Sequence, residues 1–195
     1  VQLKTSTCGV HTRIYSLKSG VLLLVEDEFI PSPYPCAACI SGDAMIYMSD
    51  GTTLKMSELR VGMKVWAFHT KDSVWNEAKV ESIVQVRHDH LVRYELNGYS
   101  VVATDDHPFF VPLKGWASLQ PEKTKRNYSG YEGVHQLEEG DAILTAQGQV
   151  KEMLSTSVAD GGETYSIENL AWGHGFLANG ILVGSAKVRS PYAMD

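Results

Sequence analysis

The stretch CISGDAMIYMSDG, residues 39–51, sets a pattern that recurs along most of the chain. The turn signal SGD (41–43) precedes the short β-prone run Ala44–Met48, and a second turn signal, SDG (49–51), follows it. Glycine and aspartate favour tight turns, and five residues between two turns have the length of a typical strand. The stretch therefore predicts one short β-strand bounded by turns.

Turn signals of the same kind continue through NGY (97–99) and EGD (139–141) to ANG (178–180). Brief helical turns are indicated only at Lys55–Glu58 and Val134–Glu138. Many short strands with few helices predict an all-β domain. The other predicted strands are Met63–Phe68, Lys79–Val86, Leu91–Leu96, Ser100–Ala103, Phe109–Val111, Asp141–Thr145, Thr164–Ile167 and Ile181–Val183.

Length and composition narrow the class of protein. The 195 residues predict one domain with a short appendage, and a hydrophobic fraction of 44% is enough for a sizeable core. A net charge of -6 without a basic stretch argues against nucleic-acid binding, and no apolar run reaches the roughly 18 residues of a membrane span. Three cysteines argue against a disulfide-stapled scaffold. We expect the chain, which begins at Val1, to be cut from a longer protein, and its compartment stays open.

Three segments are expected along the chain. Residues 1–38 form an upstream segment with a hairpin around KSG (18–20) and a proline-rich linker at 31–35, because prolines break a sheet. Residues 39–185 form the main domain, and residues 186–195 form a loose tail. Within the main domain, the pattern LxxGxxV at 59–65 is echoed by LxxGxxI at 137–143, which suits a domain of two related halves.

Three features carry residues suited to chemistry. Cys39 follows the proline-rich linker, Thr104 and His107 bracket TDDH (104–107), and His174 precedes a terminal hairpin. Each has an ordinary interpretation on its own. A free cysteine is most often a small buried hydrophobe, a histidine at a strand end is usually structural, and ANG is a common hairpin turn.

Together, in this order and spacing, the three features resemble the Hint family, which comprises hedgehog C-terminal domains, inteins and bacterial intein-like domains. Cys39 with Ile40 is similar to the family's opening block, Thr104-x-x-His107 to its TxxH block, and 164–183 to its closing blocks. The resemblance extends from Cys39 to about residue 185. It implies an all-β horseshoe, barrel-like fold with pseudo-twofold halves of short strands.

The resemblance implies self-processing at the Ala38–Cys39 peptide bond. The Cys39 sulfur would attack the Ala38 carbonyl and replace the amide by a thioester, an N-to-S acyl shift. His107 would protonate the departing nitrogen, and Thr104 would hydrogen-bond the scissile peptide or the developing oxyanion. The chain would then be a single-turnover autocatalytic enzyme whose substrate is its own upstream segment and which needs no cofactor.

The closing blocks depart from those of splicing inteins. Inteins end in His-Asn, whereas the matching positions here are Gly184 and Ser185, and Ser166 stands where inteins often carry aspartate. We therefore expect N-terminal cleavage without full splicing, with water or another small nucleophile resolving the thioester. His174, in the same blocks, completes the candidate catalytic set.

A general base for that second nucleophile is also suggested by the resemblance. Asp89, in HDH (88–90), lies in the stretch where hedgehog-type domains carry such an acid, although a solvated loop is the plainer interpretation. Asp105 and Asp106 are weaker rivals for the same role.

Other interpretations stay open beside self-processing. Cys36 and Cys39 form a CxxC pair that, with Cys8, His88 or His90, invites a zinc site, but a second paired cluster is missing and we expect no metal. A Cys36–Cys39 disulfide would instead block the acyl shift until it is reduced. The alternative function is a catalytically inactive Hint-like β-module used for binding or as a spacer. In either case we expect a monomer with neither a nucleic-acid nor a membrane partner.

Overall fold

The computed structural model describes residues 8–18, 21–31, 38–185 and 187–188, with side chains described only between 38 and 185. Within these ranges the chain is mostly strand and contains one α-helix, so the all-β prediction is confirmed. The strands before the helix are β1 (Cys8–Lys18), β2 (Val21–Pro31), β3 (Ile40–Ser41), β4 (Met45–Tyr47), β5 (Thr53–Lys55), β6 (Lys64–His69), β7 (Val74–Leu96), β8 (Tyr99–Ala103), β9 (Phe109–Val111) and β10 (Gly115–Ser118).

The helix, α1, spans Pro121–Asn127, and seven further strands follow it within the described ranges. Proline at the first helical position is favourable because its missing N–H would have no partner there. The remaining strands are β11 (Tyr128–Ser129), β12 (His135–Gln136), β13 (Ala142–Leu144), β14 (Val150–Leu170), β15 (Gly175–Ala178), β16 (Ile181–Gly184) and β17 (Lys187–Val188).

Two long strands, β7 and β14, form the centre of the fold. They pair antiparallel from Leu96 opposite Met153 to Val80 opposite Leu170. The first part of β7 also pairs with β6, and the first part of β14 pairs with β13. Each half of the domain therefore contains a short strand that pairs with the first part of a long strand. The two long strands pair antiparallel with each other.

The repeated leucine–glycine pattern marks the same turn in both halves. Gly62 and Gly140 have φ values of 95° and 92°, a left-handed conformation that favours glycine. The Gly62 amide donates to the Val80 carbonyl at 2.8 Å, and the Gly140 amide donates to the Met153 carbonyl at 2.9 Å. The echo in the sequence thus reflects a pseudo-twofold relation between the halves, as predicted.

The upstream hairpin and the tail both join strands of the main domain. β1 and β2 pair antiparallel, and β1 pairs with β7 where Cys8 lies opposite His88. Of the predicted linker, residues 31–35, Pro31 ends β2, and residues 32–37, which include Cys36, lie outside the described residues, so the Cys36–Cys39 disulfide hypothesis concerns a region that is not described. Residues 186–195 were predicted to form a loose tail. Within them, β17 pairs antiparallel with β11, with Lys187 opposite Ser129.

Several predicted elements differ from those in the structure, and the predicted strand Thr164–Ile167, for example, is part of the much longer β14. Lys79–Val86 and Leu91–Leu96 belong to one strand, β7, because β14 pairs with the intervening HDH residues and satisfies their backbone groups. Gly161 of β14 lies so close to the Asp89 backbone that a Cβ would clash with the carbonyl oxygen. The predicted helical turn at Val134–Glu138 contains the short strand β12 instead, whereas the turn predicted at Lys55–Glu58 is a 3₁₀ helix over Met56–Glu58.

The core has one large cluster and smaller satellites. The large cluster lies between the two halves and includes Ile46, Val65, Ile143 and Phe176, all fully buried. A separate small cluster surrounds the start of the domain and consists of Ala38, Cys39, Tyr128, Tyr131 and Val134. The peptide bond singled out by the sequence therefore lies in its own buried pocket of aromatic side chains.

Candidate active site

The Ala38–Cys39 peptide bond is buried at the start of β3. Ala38 and Cys39 have no solvent-exposed surface. Cys39 accepts a 2.9 Å hydrogen bond from the Thr104 amide at its carbonyl, which fixes the backbone just after the scissile bond. Water is therefore largely excluded from this peptide bond, and its polar groups depend on protein partners.

Thr104 and His107 flank the two ends of this peptide bond. The Cys39 amide donates to the Thr104 hydroxyl at 3.2 Å, as the TxxH resemblance implied. The buried Tyr94 hydroxyl and the His107 amide both donate to the Thr104 carbonyl, at 2.8 and 3.2 Å. The tight turn between β8 and β9 thus brings both Thr104 and His107 to this peptide bond.

The His107 ring is fully buried and electrically neutral at physiological pH. Burial lowers the pKa of His107 to about 3, and the Ala38 backbone acts weakly in the opposite direction. Neither ring nitrogen makes a hydrogen bond of normal geometry with a described residue. The ring packs edge-on against Phe109, with centroids 5.8 Å apart. The resemblance gives His107 the role of proton donor to the departing nitrogen, and burial keeps the resting ring unprotonated at neutral pH.

The Cys39 thiol has Thr164 as a partner, and Thr164 in turn contacts a second histidine that the sequence did not assign to the site. Burial raises the pKa of the Cys39 thiol, a hydrogen bond with the Thr164 hydroxyl lowers it, and the charges of Asp106 and Glu168 raise it further. The thiol is therefore protonated at neutral pH. Thr164 Oγ1 also lies 2.8 Å from Nδ1 of His88, so Thr164 joins the thiol to this imidazole.

Asp105 and Asp106 are buried and bound to other groups. Lys123 of α1 lies 2.6 Å from Asp105 and 3.8 Å from Asp106. The Tyr128 hydroxyl donates to Asp106 at 3.1 Å. These contacts give both carboxylates a structural function, which is to fix the turn that carries Thr104 and His107 against α1.

Asp89 lies on β7, and its side chain is 28% exposed. Its carboxylate accepts a hydrogen bond from the His90 amide at 2.9 Å and lies 3.1 Å from Nδ1 of the same histidine. Successive side chains of a strand point to opposite faces, so Asp89 projects away from the face on which His88 contacts Thr164. The structure places Asp89 in a strand rather than in a loop, and the carboxylates whose charge acts on Cys39 are Asp106 and Glu168.

His174 lies at the other end of the site, at the rim of a cleft. Its side chain is exposed, its ring centroid is 5.1 Å from that of His69, and partial burial with this neighbour lowers its pKa. Its carbonyl accepts hydrogen bonds from the Ser185 amide and hydroxyl, at 2.9 and 3.1 Å. The cleft has a volume of about 420 Å³ and also contains Glu168 and Tyr131. His174 is therefore exposed, unlike the buried candidates Cys39, Thr104 and His107.

Tyr131 connects the two ends of the site. It packs in the cluster with Ala38 and Cys39, and its hydroxyl donates to the Ser185 carbonyl. A Cβ at Gly184 would clash with this hydroxyl and would lie 2.7 Å from Cγ of Pro108. The space for a side chain at position 184 is thus already occupied.

Sequence reasoning missed Thr164, His88 and Tyr131 as members of the site. Thr164 was predicted as part of a strand and His88 as part of a loop or a weak zinc site. No local pattern marks either residue, because β7 and β14 bring them together from positions 76 residues apart. Ser166, also on β14, is buried and its hydroxyl has no hydrogen-bond partner among the described residues.

The described residues contain neither a cluster of metal ligands nor a membrane-spanning helix. Within residues 38–185, no three histidine, cysteine, aspartate or glutamate side chains are grouped so that they would hold a metal ion. Over the described ranges, no helix has the length and apolar character to span a membrane.

Comparison with solved structures identifies the class to which this architecture belongs. The chain is similar to a DnaB intein from Synechocystis sp. PCC 6803, with a TM-score of 0.63 and 19% identity over 76% of this chain and 99% of that one. It is similar to a bacterial intein-like domain from Clostridium thermocellum, with a TM-score of 0.62 and 21% identity over 77% of this chain and 99% of that one. The gp41-1 intein superposes with a TM-score of 0.59 and 17% identity over 77% and 100% of the two chains. The fold is therefore that of the inteins, the Hint fold that the sequence predicted.

Sequence comparison adds a family. A family model described as the Ataxin-1 and HBP1 module (AXH) matches residues 45–148, more than half of the chain, and the chain belongs to that family. The matched segment includes Thr104 and His107 but neither Cys39 nor Thr164. No curated protein matches the chain.

Proposed function

We propose that this chain is a self-processing domain that cleaves its own Ala38–Cys39 peptide bond through a thioester. The observation that carries the proposal is the burial of that bond between the Thr104 hydroxyl and His107, with the thiol of Cys39 beside it. Burial of a peptide bond with a nucleophile and a titratable group on either side is what an N-to-S acyl shift requires.

The first step forms a bond between the Cys39 sulfur and the Ala38 carbonyl carbon. The carbonyl becomes an oxyanion while the amide nitrogen, now amine-like, stays in contact with Thr104. The C–N bond then breaks, and the nitrogen takes up a proton to become the free amino group of Cys39. The product is a thioester that joins Ala38 to the Cys39 sulfur.

His107 supplies the proton to the nitrogen in this scheme. The pKa of the resting ring is about 3, so the ring is neutral at neutral pH and does not start the reaction as a proton donor. An oxyanion at Ala38 is an adjacent negative charge, and such a charge raises the pKa of an imidazole. His107 therefore takes up the proton that the Cys39 thiol gives up as the oxyanion forms, and passes it to the nitrogen. The buried site keeps the ring from acting as an acid before the sulfur has attacked.

The second step uses water or another small nucleophile. It attacks the thioester carbonyl, releases residues 1–38 with a new carboxylate at Ala38, and restores the Cys39 thiol. The cleft that holds Glu168, His174 and Tyr131 supports this step, because it opens beside the cluster that contains Ala38. Asp89 is proposed, from the resemblance alone, as a base for this nucleophile.

Intact mass spectrometry of the full chain tests the proposal. The purified 195-residue protein is incubated with and without dithiothreitol and with hydroxylamine, beside Cys39→Ala and the matched thiol variant Cys36→Ser. We expect fragments 1–38 and 39–195, formed faster with either nucleophile, in the parent and in Cys36→Ser but not in Cys39→Ala. An intact parent chain under every condition would contradict self-processing.

One observation favours a second candidate, an inactive β-module used for binding or as a spacer. The AXH match covers residues 45–148 and so contains neither the nucleophile nor its Thr164 partner. A family defined by that segment does not depend on the cleavage chemistry. An intact parent chain in the experiment above would support this candidate.

A further inference from the structure

Glu168 is the carboxylate that lines the cleft beside the scissile bond. The cleft has a volume of about 420 Å³, and its lining also includes Trp116 and Tyr131. These two rings meet edge to face, with centroids 5.6 Å apart. Tyr131 belongs to the buried cluster that contains Ala38 and Cys39, and Trp116 packs against that cluster. The cleft and the scissile peptide bond therefore share a wall made of two aromatic rings.

The strand β14 is irregular at Glu168. In its pairing with β7, Ile167 lies opposite Ile83 and Asn169 lies opposite Ser82, so β7 has no residue opposite Glu168. An extra residue of this kind is a β-bulge, which bends the strand and gives a side chain a new direction. The bulge accounts for the position of a charged side chain of this long, paired strand in the cleft.

The register of β14 against β3 brings Glu168 toward the Ala38 side of the scissile bond. Tyr165 lies opposite Ile40 in an antiparallel pairing. Continued in this register, the residues that follow Tyr165 run alongside those that precede Ile40, which are Cys39 and Ala38. Burial is the main cause that raises the pKa of the Cys39 thiol, and the charge of Glu168 is a further cause, in agreement with this placement.

Other carboxylates near the site are held by partners outside the cleft. Lys123 lies 2.6 Å from Asp105, and Nδ1 of His90 lies 3.1 Å from Asp89. A cation or a hydrogen-bond donor stabilises the ionised form of a carboxylate and makes it a weaker base. Glu168 lines the open cleft instead, so it is the carboxylate best placed to accept a proton from water.

We propose that Glu168 is the general base that activates water for attack on the thioester. This inference rests on the proposed self-processing function and assigns to Glu168 the task that the resemblance gives to Asp89. It concerns the second step alone, because the first step takes place within the chain and uses no water.

The protons balance over the second step. The Glu168 carboxylate takes one proton from a water molecule while the water oxygen bonds to the Ala38 carbonyl carbon. When the tetrahedral intermediate collapses, the C–S bond breaks and the proton passes from Glu168 to the Cys39 sulfur. This transfer restores the thiol and the carboxylate. The new carboxylic acid at Ala38 then loses its proton to solvent.

Separate measurements of the two steps in the full-length chain test this inference. Hydroxylamine attacks a thioester without a protein base, so the trapped rate reports thioester formation, whereas release of residues 1–38 without a trap reports hydrolysis. In Glu168→Gln we expect the trapped rate to stay within about threefold of the parent and hydrolysis to be about 10- to 100-fold slower. Because thioester formation needs the folded site, an unchanged trapped rate also shows that the variant is folded.

Two matched variants distinguish Glu168 from its neighbours. Glu163→Gln removes an exposed carboxylate of β14, and His174→Gln removes the imidazole at the rim of the same cleft. Both should hydrolyse the thioester at a rate within about threefold of the parent. Slow hydrolysis in His174→Gln beside parent-like hydrolysis in Glu168→Gln would overturn the inference. Equal slowing of trapping and hydrolysis in Glu168→Gln would also overturn it.

Chemical rescue separates a base from a merely structural carboxylate. Glu168→Ala leaves room in the cleft for a small carboxylate, so formate at about 0.5 M should raise its hydrolysis rate by at least about fivefold. Sodium chloride at the same ionic strength should leave that rate unchanged. A hydrolysis rate that formate does not raise would contradict a base at this position.

Failure of this inference and failure of the proposed function give different results. A parent chain that hydroxylamine does not cleave would contradict self-processing itself. A parent chain that hydroxylamine cleaves but water does not would overturn only the assignment of Glu168.

Discussion

The two ends of the site, Ala38–Cys39 and Gly184–Ser185, meet the same tyrosine but differ in their surroundings. Ala38 and Cys39 are buried with Tyr131 and have a hydroxyl and an imidazole on the scissile bond. Ser185 is only partly buried, and the structure gives it backbone hydrogen bonds to His174 and a hydrogen bond from Tyr131. The groups to which the proposed function assigns bond cleavage therefore surround only the first of the two ends.

In the proposed function, this difference lets one fold carry out cleavage at one end and omit it at the other. Cleavage after residue 185 would need a side chain that attacks its own backbone, and Ser185 uses its hydroxyl to hydrogen-bond the His174 carbonyl. At Cys39, by contrast, the amide donates to the Thr104 hydroxyl, the carbonyl accepts from the Thr104 amide, and the thiol has Thr164 as a partner. In the proposed function, the side chains at each end therefore determine whether cleavage occurs there. The strands only bring the two ends together.

The largest expected effect comes from replacing His107, at the Cys39 end of the site, by glutamine. His174→Gln is the matched change at the other end. His107→Gln keeps a polar side chain beside Ala38 but cannot deliver a proton, so cleavage should slow by about 10²- to 10⁴-fold. His174→Gln changes an exposed ring at the other end, and the same rate should change by less than about threefold. Both rates come from fragment appearance by mass spectrometry. Equal slowing by both variants would contradict the assignment of chemistry to the Cys39 end.

How far the sequence could predict this asymmetry depends on the range of the signals. The turn glycines Gly62 and Gly140 and the TxxH turn are local, and each was recognised because a few neighbouring residues determine it. Thr164 and His88 belong to the site through the register of β7 against β14, which is set by contacts far apart in the chain. The burial that shifts the pKa of His107 likewise depends on the whole core, so its direction was not readable from residues 104–107.

A second prediction concerns position 184. Gly184→His introduces a side chain where the Tyr131 hydroxyl and Cγ of Pro108 already lie, so we expect the free energy of unfolding to fall by about 1–3 kcal/mol. Ser185→Asn, which alters a half-buried side chain with room beside the cleft, should change it by less than about 1 kcal/mol. Urea denaturation measures both. A Gly184→His, Ser185→Asn chain that is as stable as the parent and releases its C-terminal residues would show that both ends can carry out cleavage.

A third prediction follows from the two buried histidines. The pKa values of His88 and His107 are about 4 and 3 in the folded state, and an unfolded histidine titrates near 6.5. The folded state therefore binds fewer protons, and the stability that these groups contribute is present above about pH 6.5 and is lost as pH falls below it. Each should cost about 2 kcal/mol between pH 7 and pH 5. Urea denaturation at both pH values should show a smaller loss in His107→Gln than in the parent, and an identical loss would contradict a neutral buried ring.

The smallest expected effect concerns Asp89, which the resemblance links to the second nucleophile. Its carboxylate already interacts with His90 and lies on the opposite face of β7 from His88, so it acts, if at all, after the thioester has formed. Asp89→Asn should leave the formation of the thioester unchanged and slow its hydrolysis no more than about tenfold. Glu163→Gln, which removes an exposed carboxylate from β14, is the matched control. Trapping with hydroxylamine measures formation, and fragment release without a trap measures hydrolysis. Slower formation in Asp89→Asn would place this carboxylate on the Cys39 side of the comparison, where its charge acts on His88, and not with the second nucleophile.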